Sequence, residues 1–178
     1  MALSDLPFQK MGEQPAFDPA GLEEFVAAPR IAILAYARRD GTPVQVPIWY
    51  AYEDGDFRML TGRTSVKAKA LARNPRASLT IQDETPPYRA VIMDGDVAIS
   101  EVPLETDLNP YLARRYFGKF GGREYEKMSA DEYAKTGLCE LRFQPTRVRG
   151  FDNHKLLGFA LRAYMRVRAA LPIPTDWL

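Results

Sequence analysis

Residues 40–55 constrain the fold more than any other stretch. Two Asp-Gly pairs, Asp40-Gly41 and Asp54-Gly55, bracket the run PVQVPIWYAY, in which Val44, Val46, Ile48, Tyr50 and Tyr52 recur at every second position. Period-two alternation puts all five on one face of a strand, and Asp-Gly tolerates the positive φ angles that a tight hairpin turn needs. RIAILAYAR before the first turn and FRMLT after the second complete three consecutive antiparallel strands.

The rest of the chain extends this pattern. Asp18 and Pro19 make an N-cap and first-turn pair, and Leu22, Phe25 and Val26 follow at helical spacing until Pro29 stops the helix. RASLTIQD and RAVIMDGDVAIS read as strands around a Pro-Pro turn, PLETDLNPYLARRYFGKF as a helix, and LCELRFQPTRVRG as a last strand. The fold class is mainly β with peripheral helices. Six strands favour a closed or nearly closed antiparallel barrel, because closure removes exposed edges. At 178 residues the chain suits one domain. Residues 1–17 read as a loose N-terminal extension, 18–152 as the barrel, and 153–178 as a C-terminal helix with a loose tail after Pro172.

The stretch LTGRTSVKAKALARNP places Arg63, Lys67 and Lys69 around the start of a helix capped by Thr64 or Ser65, with Val66, Ala70 and Leu71 as its apolar stripe. Cations there oppose the helix dipole and leave unpaired N–H groups without an acceptor, so the segment is unfinished without an anion. Thr61, Thr64 and Ser65 offer hydroxyls, Gly62 allows close backbone approach, and Arg63 and Lys67 add charged donors: the parts of a phosphate cradle. The glycine and lysine spacing fits neither a P-loop nor a dinucleotide fingerprint. A formal net charge of +1 gives no footprint for nucleic acid, and one cysteine with one histidine gives neither a disulfide nor a metal cluster. No signal-like N-terminus or membrane-length apolar run is present, which points to a cytoplasmic protein.

From about Leu22 to Gly95 the chain resembles the pyridoxamine 5'-phosphate oxidase-like split-barrel family, on the order and spacing of DGTPVQVPIWYAYEDGDFRMLTGRTSVKAKALARNPRASLTIQD and PPYRAVIMDGDVAI. The resemblance implies a six-stranded antiparallel split barrel that works as a homodimer, with cofactors at the subunit interface. It implies that Thr61, Arg63, Thr64, Ser65 and, above all, Lys67 hold the cofactor phosphate, and that Pro47, Ile48 and Trp49 lie along its ring. Within the family the pattern is most similar to the branch using the deazaflavin coenzyme F-420, with FMN as second choice. Arg89 is followed by Ala90 where authentic pyridoxamine phosphate oxidases have an Arg-Gln pair, and their C-terminal substrate segment is missing, which argues against vitamin B6 oxidation.

The reading is a flavin-type oxidoreductase transferring hydride between its cofactor and a small organic substrate, with a proton from solvent or from a phenol such as Tyr50 or Tyr88 and no catalytic residue assigned. Arg63, Lys69, Arg114 and Arg115 are candidates to meet a polyanionic deazaflavin tail. His154 reads as preceding the last helix, and Cys139 as a small core residue. The last helix, with Arg162, Arg166 and Arg168, fits packing on the barrel, a dimer or the pocket better than a membrane surface. The alternative is a non-catalytic barrel that holds FMN, haem or a lipid, for which haem would find only His154 and Cys139 as ligands.

Overall fold

The hairpin over Asp40-Gly41 forms as the alternation requires. In the computed structural model, which describes residues 1–170, β2 (Ala32–Ala37) pairs antiparallel with β3 (Pro43–Ile48), Leu34 facing Val46 and Tyr36 facing Val44. The second turn joins β4 (Ala51–Glu53) to β5 (Asp56–Gly62), with Asp54 at φ 52° and Gly55 at φ 89°. Positive φ at both positions matches the hairpin's own twist, which Asp-Gly provides at low cost.

The barrel differs from expectation in strand number and closure. The sheet has eight strands in the order β3-β2-β6-β7-β8-β5-β4, and β1 (Phe8–Lys10) adds to β8 in parallel. β6 is Arg76–Gln82, β7 Arg89–Val102 and β8 Leu138–Asp152. The run PVQVPIWYAY divides at Trp49 and Tyr50, so β3 and β4 are neighbours in sequence yet lie at opposite ends of the sheet. Two residues can span that gap only if the sheet curls back on itself, and no ladder joins its end strands, so it is not closed. The N–H of Tyr50 turns instead to the hydroxyl of Tyr116, at 3.1 Å.

The long β7–β8 ladder is the spine. It bends at a bulge between Asp94 and Gly95, where any side chain on residue 95 would strike the backbone of Gln144 and Pro145. Inside the curl, Leu34, Tyr50, Phe57, Met59, Leu79, Ile81, Met93, Leu141 and Phe143 are wholly buried. Burying each side chain contributes about 1.5–3 kcal/mol against its exposed state. Helix α1 (Pro19–Ala27) starts as expected, with the Asp18 carboxylate accepting from the Gly21 N–H at 2.8 Å and Leu22, Phe25 and Val26 turned inward.

Residues 1–17 are not a loose extension. Leu3 is buried in a short 3-10 turn, its N–H donates to the Tyr52 hydroxyl at 3.1 Å, and β1 completes the sheet. Helix α2 (Val66–Arg73) is capped by Ser65 and buries Ala68, Ala70 and Leu71, whereas Val66, expected in that stripe, is 65% exposed. Helix α3 (Leu108–Thr136) runs well past the expected end at Phe120. It is two helical segments meeting at Gly118, where φ is 71°. Gly122 lets the second segment cross the first closely, since a side chain there would meet the backbone of Ala113 and Arg114. Helix α4 (Phe159–Ala170) follows a 3-10 turn over Asn153–Leu156. The tail expected after Pro172 lies outside the described residues. No helix among them is long and apolar enough to cross a membrane.

Candidate functional site

A cavity of about 620 Å³ lies where the end strand β3, the end of β5, the start of α2 and both segments of α3 meet. Of the residues singled out in the sequence, Pro47, Ile48, Trp49, Thr61, Gly62 and Lys67 line it. β3 pairs only with β2, so half of its backbone groups have no strand partner.

Lys67 is half-buried and forms no ion pair or hydrogen bond among the described residues. Burial holds its ammonium below the ordinary lysine range, because desolvation penalises the charged form. The N–H groups of Val66 and Lys67, in the first turn of α2, likewise find no acceptor among the described residues. The Ser65 hydroxyl oxygen accepts from the Ala68 N–H and from Thr61 Oγ1, each at 3.2 Å, which leaves its own proton free to donate. Of these donors only Lys67 lines the cavity; the Ser65 hydroxyl and the two N–H groups adjoin it in the chain, and no anion pairs with any of them among the described residues.

Arg63, Thr64 and Ser65 do not line the cavity. Arg63 is exposed and pairs with Glu101 at 3.1 Å, its guanidinium lying over Gly137. Lys69, Arg114 and Arg115 are absent from the lining as well. Arg115 is folded inward, donating to the Ala27 carbonyl at 2.7 Å with its guanidinium over the Tyr50 and Tyr116 rings.

Trp49 forms one wall. It stacks on Tyr116 at 5.0 Å and 9°, and meets Phe117 edge-on. Tyr116 is fixed in turn by its hydroxyl, which accepts from the Tyr50 N–H and donates to the Arg30 carbonyl at 2.8 Å. Neither phenol considered as a proton donor reaches the cavity. Tyr50 is fully buried and donates to the Val26 carbonyl at 2.8 Å; Tyr88 is half-exposed beside Arg89 in another depression.

The cavity roof is a part that sequence reasoning misses. The second segment of α3 contributes Tyr125, Met128, Ser129, Glu132 and Tyr133. Their spacing marks one helix face, and Gly121-Gly122 before them and Gly137 after them frame the segment, but the composition there is too polar to flag a packed helix. Cys139 is buried beside Thr61, whose carbonyl its thiol approaches at 3.6 Å, and burial pushes the thiol pKa up. His154 lies elsewhere, in a second cavity of about 370 Å³ with Arg89 and Arg162. There Asp83 accepts from Arg30 at 3.1 Å and Arg89 at 2.6 Å, and both guanidinium groups lie over the Phe25 ring. Neither Cys139 nor His154 offers a ligand atom to the main cavity.

Residues 19–152 match the family model of pyridoxamine 5'-phosphate oxidase. Among solved structures, a conserved hypothetical protein from Mycobacterium tuberculosis is similar at 27% identity and a TM-score of 0.65, over 83% of this chain and 92% of that one. An F-420 reductase is similar at 23% identity and a TM-score of 0.50, over 71% of this chain and 94% of the other. A heme storage protein from Vibrio cholerae shares the fold at 16% identity and a TM-score of 0.50, over 70% and 87%. No curated protein matches the chain.

Proposed function

The chain belongs to the pyridoxamine 5'-phosphate oxidase family, and on that premise we propose that it binds a phosphorylated flavin-type cofactor, coenzyme F-420 or FMN, in the cavity between β3 and α3. The single observation that carries this reading is Lys67, a half-buried cation at a helix start, facing a cavity with no anion paired to it. Phosphate would accept from the Lys67 ammonium, the Ser65 hydroxyl and the free N–H groups of Val66 and Lys67. The Pro47–Trp49 strand edge would support the ring.

Such a cofactor supplies hydride transfer when bound, and the protein acts as an oxidoreductase on a small organic substrate. The chain's own residues supply orientation and shelter. Trp49, Leu60 and Leu112 exclude water from the ring, and the Tyr116 hydrogen bonds keep Trp49 in place. The family resemblance extends the proposal to a homodimer, in which a second subunit would complete the cavity mouth. Between the cofactors, the absence of Arg63, Lys69, Arg114 and Arg115 from the lining leaves few cations for a polyglutamate tail within one subunit. FMN is therefore a stronger competitor than the sequence alone indicates.

The test is fluorescence titration of the purified protein with FMN and with F-420, beside Lys67→Ala. One cofactor should bind tightly, and the variant should lose about 1.5–3 kcal/mol, the range for a hydrogen bond to a charged group. Failure of both cofactors to bind, or equal binding by the variant, would refute the cradle.

A further inference from the structure

On the second segment of α3, Tyr125, Met128, Ser129, Glu132 and Tyr133 stand at i, i+3, i+4, i+7 and i+8, so one helix face roofs the cavity. A helix laid over a β-sheet ordinarily turns an apolar stripe inward. This one turns two phenols and a buried serine inward, with Met128 and Glu132 at the exposed rim.

The two phenol oxygens are 3.2 Å apart. A pair of phenols carries two protons and forms one hydrogen bond between them, so one O–H is left over. Among the described residues neither hydroxyl has another partner. The Tyr125 ring is held 4.9 Å from Trp49 and 5.5 Å from Phe117, which fixes where its hydroxyl points. Burial pushes the Tyr133 pKa well above the usual phenol range, so that phenol stays a donor through the physiological range. The cavity is also lined by Pro47 and Ile48 of the β3 edge and by Leu60 and Leu112, while the Trp49 ring meets Tyr125 itself.

We propose that the Tyr125–Tyr133 pair is a ligand-selecting donor, giving one hydrogen bond to a carbonyl-type oxygen on a planar conjugated ring that lies between the α3 roof and the β3 edge. The proposal rests on the cofactor reading only in sharing its cavity. The ring with its oxygen comes either from the cofactor itself or from a separate quinone-like substrate, and these sources are separable.

The experiment is equilibrium dialysis of the wild-type protein and a Tyr125→Phe/Tyr133→Phe double variant, which keeps both rings and removes both hydroxyls. The probes are FMN, F-420, 1,4-naphthoquinone, and naphthalene as a ring without oxygen. Loss of about tenfold in affinity for an oxygen-bearing probe, with naphthalene unchanged, is the expected result. Loss confined to FMN or F-420 assigns the bond to the cofactor ring; loss confined to naphthoquinone assigns it to a substrate. Equal affinities in both proteins, or an equal loss for naphthalene, would overturn the proposal. If Lys67→Ala weakens FMN while the double variant weakens no probe, the phenol pair fails and the cofactor reading stands. If the double variant loses affinity for naphthoquinone and neither cofactor binds the wild type, the phenol pair stands and the cofactor reading fails. Binding of none of the probes overturns both.

Discussion

Two cations near the same strand live in opposite circumstances. Arg58, in β5, gives two hydrogen bonds to Glu140, at 2.8 and 3.0 Å, and a third to Glu53 at 3.0 Å. Lys67, just beyond the end of β5, gives none among the described residues. Arg30 and Arg89 follow the first pattern, sharing Asp83. The contrast teaches that Arg58, Arg30 and Arg89 find their anions within the fold, whereas half-buried Lys67 finds none among the described residues, as the proposed phosphate site requires. A half-buried ammonium without a partner costs stability, and a bound anion would recover it.

The largest test of the comparison is Arg58→Ala. It leaves the Glu140 carboxylate, only 9% exposed, with Arg142 at 3.7 Å as its one remaining cation among the described residues, and should cost about 2–3 kcal/mol at neutral pH in urea unfolding. The Arg58 guanidinium holds the Glu140 carboxyl below the usual carboxylate range. A carboxyl depressed in the folded state contributes stability above its unfolded pKa, and that contribution disappears as pH falls through the folded value. The gap between Arg58→Ala and wild type should therefore narrow on acidification below about pH 4.5, the ordinary glutamate value. A gap constant with pH would show that packing, not charge, is what Arg58 supplies.

Lys67→Met should do the reverse of Arg58→Ala. It keeps the apolar stem and removes an unpaired charge, so the melting temperature should hold or rise, equivalent to no more than about 1 kcal/mol, while phosphate protection of the fold is lost. Destabilisation comparable to Arg58→Ala would mean that Lys67 has a structural partner after all. Smallest is Arg63→Ala. Its pair with Glu101 joins side chains 55% and 70% exposed, and should contribute less than about 0.5 kcal/mol, falling further with salt. A cofactor affinity that drops as far as in Lys67→Ala would place Arg63 in the phosphate cradle despite its present partner.

The parts of the fold legible in the sequence are those governed by local rules. The Asp-Gly hairpins, the Asp18 cap and the one-face alternation of Val44 to Tyr52 need only neighbouring residues. Sheet closure does not follow from them. Whether PVQVPIWYAY is one strand or two depends on Tyr116, 66 residues away, offering its hydroxyl to the Tyr50 N–H. The cavity shows the same division. Lys67 is visible because an unpaired charge at a helix start is locally anomalous. The roof is not, because Tyr125 and Tyr133 gain meaning only once Gly118 breaks α3 and sets its second segment over β3. Nor is the Arg63 partner legible locally, Glu101 being supplied by a distant strand.

The parallel pairing of β1 with β8 has a consequence for the order in which this protein can mature. Phe8 aligns with Val148, so this strand docks on one synthesised much later than itself. At ordinary elongation rates roughly ten seconds or more separate their synthesis. Within that interval Leu3 can meet Tyr52 and α1, and Phe8 can meet Phe17, but the backbone of β1 stays unpaired, an exposed strand edge that chaperones can hold.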